Sequence, residues 1–134
     1  MSREIPWEEL FRAANDIRAR AHVPYSKFPV GAAAFYEDGT VLAGCNVENS
    51  SYGLSVCAER NAIARGVVEG RKGLIAVAVV VDTPEPCPPC GMCRQVMTEF
   101  APLELPVRSR NLKGDEARYT LGELLPHAFT NRFL

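Results

Sequence analysis

The chain has 134 residues, 47% of them hydrophobic, and a formal net charge of -1. A chain of this length buries roughly two-thirds of the surface it exposes when unfolded, so residues 1–134 are expected to form one domain around one core. The charge is near zero, with no long run of one sign. That excludes the electrostatic footprint of a nucleic-acid or anionic-membrane binder and leaves a small molecule as the expected ligand. The local cluster Arg108, Arg110 and Lys113 reads as a solvated face beside a turn rather than a phosphate site.

The first ten residues, MSREIPWEEL, put charges where a secretory leader needs an apolar segment. No stretch approaches the ~20 apolar residues of a membrane-spanning helix, and a cytoplasmic protein is expected. Cysteine is present five times, and three of the five crowd one loop. In a reducing compartment that arrangement favours metal ligation or catalysis over a disulfide framework.

Pro6 suits the first turn of a helix, and Trp7, Leu10, Phe11, Ala14, Ile17 and Ala21 follow at helical spacing up to a break before Pro24. His22 falls at the expected end of that helix, where an imidazole complements the dipole, and reads as structural. His127 has no metal-spaced partner. From Val30 to Glu48 the pattern is two strands joined at Asp38-Gly39, a pair that supplies the positive φ angles of a tight hairpin. Cys45 reads as a small buried strand residue. A second helix begins close to Cys57 and ends at Gly70. Leu74 to Val81 is a continuous apolar run, as in a central strand covered on both faces. Cys93 to Ala101 is a short helix, strands fit Leu105 to Ser109 and Ala117 to Thr120, and a helical turn covers Leu121 to Leu125. The order implies an α/β fold with helices on both faces of a mixed β-sheet, a three-layer α/β/α domain without repeats or linkers.

The chemistry concentrates in PEPCPPCGMCRQ, Pro84 to Gln95, and in CAER, Cys57 to Arg60. Both cysteine segments feed helix N-termini, whose positive ends stabilise the thiolate that binds metal. Cys87 is held extended between Pro86 and Pro88, whereas Gly91 lets Cys90 and Cys93 turn their sulfurs to one point. Cys57, Cys90 and Cys93 therefore read as the ligands and Cys87 as a bystander. Three protein ligands and an open fourth position describe catalytic zinc. Three thiolates make such a site anionic. Arg60, together with Arg94, is placed in sequence to offset the charge by hydrogen-bonding the sulfurs. Glu59, two residues after Cys57, is expected to move protons rather than to ligate, since three sulfurs already fill the ligand set.

These segments, with VPYSKFPVGAA (Val23 to Ala33), GCNVENSSYG (Gly44 to Gly53) and LLPHAF (Leu124 to Phe129), resemble the small homotetrameric cytidine deaminases that depend on zinc. The resemblance covers nearly the whole chain. It implies one Zn2+ per chain on Cys57, Cys90 and Cys93, with Glu59 as the general acid/base and Arg60 bonded to the ligand sulfurs. It also implies that Phe28 lies beside the pyrimidine, that Asn46 and Glu48 bind the ribose hydroxyls, and that the Ala58 N–H meets the pyrimidine carbonyl. Phe129 would cap a substrate pocket, its own or a neighbouring subunit's. The implied reaction is hydrolytic deamination of cytidine and 2'-deoxycytidine in a homotetramer with shared sites. Cys87 and Thr130, the latter standing where the family usually has glycine, depart from the family pattern.

Other readings make different demands. An iron–sulfur module would use Cys87, Cys90 and Cys93, but its run requires a further cysteine where Met97 stands. A deaminase of nucleic acid would need a basic groove. A deaminase of another small aminopyrimidine is separable only by assay. Without the resemblance, Phe28 and Phe129 would read as core aromatics, and Asn46 and Glu48 as the end of a strand.

Overall fold

The computed structural model describes residues 4–134. Helix α1 spans Trp7–Arg18, with Glu8 and Glu9 in its first turn and Arg18 in its last, each complementing the helix dipole. It stops one turn earlier than the spacing predicts. Ala21 and His22 instead follow a turn, and His22 forms a parallel bridge with Val47, donating its N–H to the Asn46 carbonyl and accepting from the Glu48 N–H. His22 is thus held by backbone pairing, not by a helix end.

Strands β1 (Val30–Tyr36) and β2 (Val41–Cys45) form the expected hairpin. Among the turn residues only Gly39 has a positive φ, 88°. Gly39 N–H donates to the Tyr36 carbonyl, and Tyr36 N–H to that of Thr40. This is a turn closed by one left-handed glycine rather than a two-residue turn with both centres positive. Helix α2 (Ala58–Val68) leads to β3 (Leu74–Val81), then α3 (Gly91–Phe100), β4 (Pro106–Arg110), β5 (Glu116–Thr120) and α4 (Leu121–Leu124). The five strands run in the order β2-β1-β3-β4-β5, and only β3 and β4 are parallel. The sheet is mixed, as expected.

Strand β3 explains the unbroken apolar run. Val77, Val79 and Val81 face one side with Ile63 of α2, Met97 of α3 and Leu121 of α4. Ala76, Ala78 and Val80 face the other with Leu10, Phe11 and Ala14 of α1. Because successive side chains alternate faces and both faces are covered, neither needs polar residues. Small side chains let the helices lie close. On the α2 side Gly44 is required, since a Cβ there would stand 2.4 Å from the Ala62 backbone nitrogen.

Where the start of α1 meets β4, arginine side chains fill the contact: the Arg108 guanidinium sits 4.1 Å from the Trp7 ring centre and that of Arg110 4.0 Å from Phe11. Both pair with Glu116, and their side chains are only 24% and 25% exposed. The expected solvated face is therefore partly a lid over aromatic rings.

Candidate active site

Helices α2 and α3 lie on the same face of the sheet, and both begin at a cysteine. Cys57 is the N-cap of α2 and Cys90 that of α3, each with extended backbone and no side-chain capping bond. Their sulfurs turn to each other, 3.7 Å apart, and Cys93, inside the first turn of α3, brings its own sulfur 3.5 Å from that of Cys90. All three sulfurs lie within 4.8 Å of one another. Tetrahedral zinc with bonds of about 2.3 Å separates its sulfurs by roughly 3.8 Å, so the triangle fits the ion. Among the described residues no other group gathers three such ligands, and Cys87 does not join this one.

Arg60 supports the set from α2. Its Nη2 donates to the Cys57 sulfur at 3.4 Å, while its buried Nε has no partner. The Cys57 thiol is drawn well below its ordinary value, first by a hydrogen bond from Cys93 and then, against the cost of burial, by Arg60. Cys93 is correspondingly raised, because it donates to Cys57 and lies buried. One thiolate is thus already favoured before a cation adds its own field.

Glu59 follows Cys57 into the first turn of α2 and is 4% exposed. Burial, reinforced by the Cys57 charge, pushes its carboxyl up to about 7. A carboxyl balanced near neutrality can give and take a proton in one cycle.

These groups open on a cavity of about 190 Å³ lined by Phe28, Val30, Asn46, Cys57, Ala58, Glu59, Val79, Val81, Cys87, Pro88 and Cys90. It sits beyond the carboxyl end of β3, where open α/β sheets receive ligands. Ala58 is the first residue of α2, so its N–H has no acceptor within the helix. Asn46 reaches the wall, with its amide engaged by the backbone of Phe28 and Val30. Phe28 is 39% exposed at the cavity and is not a core aromatic.

Four expected site residues do not line this cavity: Cys93 is fully buried within the sulfur triangle, Arg60 bonds the Cys57 sulfur, and Glu48 and Phe129 lie elsewhere. Glu48 lines an adjacent groove with Tyr25, Ser26, Tyr52 and Ser55, where its Oε1 accepts from the N–H groups of Tyr25 and Ser26. Phe129 is 61% exposed, stacks on Phe133 at 5.7 Å, and its carbonyl accepts from Gln95 Nε2. Arg94, expected at the sulfurs, bonds backbone instead: Nε donates to the Pro89 carbonyl and Nη1 to that of Leu124, both at 2.7 Å. Its guanidinium is committed to those oxygens. Cys45 is half-buried rather than buried.

The sequence reading missed Val30, Val79, Val81 and Pro88 as walls, and it did not place Cys87 in the cavity. Period-two alternation along β3, extended to its carboxyl end, was the signal for Val79 and Val81.

Three thiols at two helix starts, with a buried carboxyl beside them above a mixed sheet, define a metal-dependent hydrolytic centre. Residues 6–108 match the family model of the cytidine and deoxycytidylate deaminase zinc-binding region. The cytidine deaminase of Halalkalibacterium halodurans is 52% identical over 121 residues, 90% of this chain and 92% of that protein. That of Mycobacterium tuberculosis is 44% identical over 130 residues, 94% of this chain and 91% of that protein. The crystal structure of the cytidine deaminase from Burkholderia pseudomallei superposes with a TM-score of 0.90 at 46% identity, covering 93% of this chain and all of that one. The chain belongs to the cytidine and deoxycytidylate deaminase family. Among the described residues no helix is long and apolar enough to cross a membrane.

Proposed function

We infer that this chain is a zinc-dependent hydrolase that converts cytidine and 2'-deoxycytidine to uridine and 2'-deoxyuridine with release of ammonia. The observation that carries the reading is the cluster of the Cys57, Cys90 and Cys93 sulfurs beside a cavity that Cys57, Cys90 and the buried Glu59 line together. Zinc held by these sulfurs supplies a Lewis acid that makes a water nucleophilic at neutral pH. Glu59 takes a proton from the attacking water and delivers it to N3 of the pyrimidine, which makes C4 electrophilic. Once the water oxygen has bonded to C4, Glu59 takes the remaining proton from that oxygen and passes it to the amino group, so that the C4–N bond breaks as C4=O forms and ammonia leaves. Arg60 donates to the Cys57 sulfur and offsets part of the negative charge of the ligand set. The arrangement favours the tetrahedral carbon over the flat ring, which is the source of rate.

Phe28 forms one wall for the base, and the free N–H of Ala58 meets the pyrimidine carbonyl. Asn46 and Glu48 serve the ribose end, Glu48 from the adjoining groove. The cavity is small for a nucleoside, and Tyr25, Tyr52 and Leu54 beside that groove are exposed apolar groups. Both features support a homotetramer in which Phe129 of one subunit closes the pocket of another. The setting is pyrimidine salvage in the cytoplasm.

Loss of ultraviolet absorbance against cytidine, deoxycytidine, cytosine, adenosine and dCMP tests the reaction. Cytidine and deoxycytidine should be turned over and free cytosine far more slowly, because a missing sugar leaves polar groups unpaired. Equal turnover of cytosine would remove the ribose role. Sharing of sites is tested by mixing Glu59→Gln chains with Phe129→Ala chains: subunit exchange should restore some activity, and none despite proven exchange would exclude it.

A further inference from the structure

The loop between β3 and α3 carries four prolines, Pro84, Pro86, Pro88 and Pro89, none of which has an N–H to give. Three of its carbonyls are instead claimed by side chains from outside the loop, while those of Glu85 and Pro88 accept from Thr83 and Cys87 within it. Asn111 Nδ2 donates to Pro84 at 3.2 Å, Ser109 Oγ to Cys87 at 2.7 Å and Arg94 Nε to Pro89 at 2.7 Å. The last bond lies directly before Cys90, whose sulfur stands at the cavity edge and whose side chain makes no capping bond.

Arg94 holds both sides of that residue. Its backbone N–H donates to the Cys90 carbonyl at 3.0 Å, and its guanidinium holds the preceding carbonyl, that of Pro89. The backbone on each side of Cys90, from which its sulfur projects, is thereby held. Nη1 meanwhile reaches the Leu124 carbonyl at the end of α4, and the neighbouring Gln95 holds the Phe129 carbonyl at 2.8 Å. A planar guanidinium can serve two carbonyls at a set angle, and its charge strengthens both bonds. A lysine at the same place offers one flexible point charge.

We propose that Arg94 is a positioning residue for the metal centre: by holding the Pro89 carbonyl its guanidinium aims the Cys90 sulfur, and through Leu124 it ties that aim to the C-terminal segment. The inference rests on the reading of Cys90 as a zinc ligand. The Arg94 side chain does not line the cavity, and its hydrogen bonds all go to backbone carbonyls.

The test compares purified full-length protein with Arg94→Gln, Arg94→Lys and Arg65→Gln. Arg65 is the control, because it too donates to a carbonyl, that of Ala43 at 3.3 Å, but remote from the cysteine loop. Zinc affinity is read by competition with a chromophoric chelator, and ligand geometry by the absorption spectrum after exchange with Co2+. Both Arg94 variants should bind zinc about 10–100-fold more weakly, the usual cost of losing a group that orients a ligand, and should show altered cobalt bands. Arg65→Gln should lower Tm without changing either. If Arg94→Gln does not fold, Arg94→Lys decides alone. Zinc affinity and cobalt spectrum unchanged in Arg94→Lys, with only Tm lowered, would overturn the proposal. Unsubstituted protein that fails to take up stoichiometric zinc would overturn the metal reading itself, and this proposal with it.

Discussion

Asn46 grips the backbone of Phe28: its Nδ2 donates to the Phe28 carbonyl and its Oδ1 accepts from the N–H two residues on, at Val30, both at 2.9 Å. The cavity wall that Phe28 forms is therefore set by a side chain on the far side of the hairpin. Asn46→Ala leaves the Val30 N–H unpaired, and its expected cost is about 1–3 kcal/mol of folding stability. Asn46→Asp keeps the acceptor for Val30 but sets a carboxylate oxygen against the Phe28 carbonyl, and should lose at least as much. In both, KM for cytidine should rise more than kcat falls, because the wall and not the proton carrier has moved. Urea unfolding and steady-state kinetics report the two effects. A wild-type KM in Asn46→Ala would mean that Phe28 holds its place without help.

The ligand assignment is open to metal analysis. Replacing Cys57, Cys90 or Cys93 by Ala should strip zinc from the chain, whereas Cys87→Ser should keep one zinc per chain and near-normal activity. Cys87 lines the cavity but stands outside the sulfur triangle. Zinc lost from Cys87→Ser and retained by Cys93→Ala would reverse the assignment.

For Glu59, the decisive substitution is Gln, which matches its volume but cannot shuttle a proton. Metal content and fold should persist, while kcat should fall by at least ~10²–10⁴, the scale of general acid/base groups. Release of zinc from this variant would make Glu59 a ligand instead.

Gly44 sets the height of α2, and so of Cys57, Ala58 and Glu59, above the sheet. An alanine Cβ there would meet the Ala62 nitrogen at 2.4 Å and the Ala58 carbonyl at 2.8 Å, both backbone atoms that cannot rotate away. Gly44→Ala should cost about 1–3 kcal/mol through overpacking and lower kcat with it. Gly53→Ala, where an added Cβ meets nothing within 4 Å, is the control and should be near neutral in thermal denaturation. Equal Tm values for the two variants would refute the close-approach argument.

Glu116 gives a pH dependence away from the metal site. Its side chain is 13% exposed and accepts from Arg110 Nε at 2.7 Å and Arg118 Nε at 2.6 Å. Burial raises its carboxyl, but the hydrogen bonds and charges of the two arginines prevail and hold it below its ordinary value of 4.5. The folded state therefore favours the carboxylate. This stabilisation is fully present above the ordinary value and is lost as pH falls through the lower folded one. Glu116→Gln should be less stable than the parent at neutral pH, with the gap narrowing as pH falls below 4.5. A gap constant with pH would assign the effect to packing.

Local chemistry was readable before any coordinates. The alternation and length of apolar runs determined the strands and helices, because burial on one face or two leaves a period in the sequence. The ligands were readable too. Three thiols placed at two helix starts have few uses, although α3 begins at Gly91, two residues ahead of the Cys93 start that the spacing predicts. What the sequence could not carry was any relation that depends on where distant segments meet. It put Arg94 at the sulfurs because it lies beside Cys93. The fold gave its guanidinium to Pro89 and Leu124, since a proline-rich loop has carbonyls without donors nearby. Arg108 and Arg110 looked solvated until α1 brought Trp7 and Phe11 beneath them. Asn46 read as a group for the ribose hydroxyls alone, and hairpin register gives its amide a second task against the Phe28 and Val30 backbone. A side chain's type fixes the bonds it can make; only the tertiary structure decides which partners come within reach.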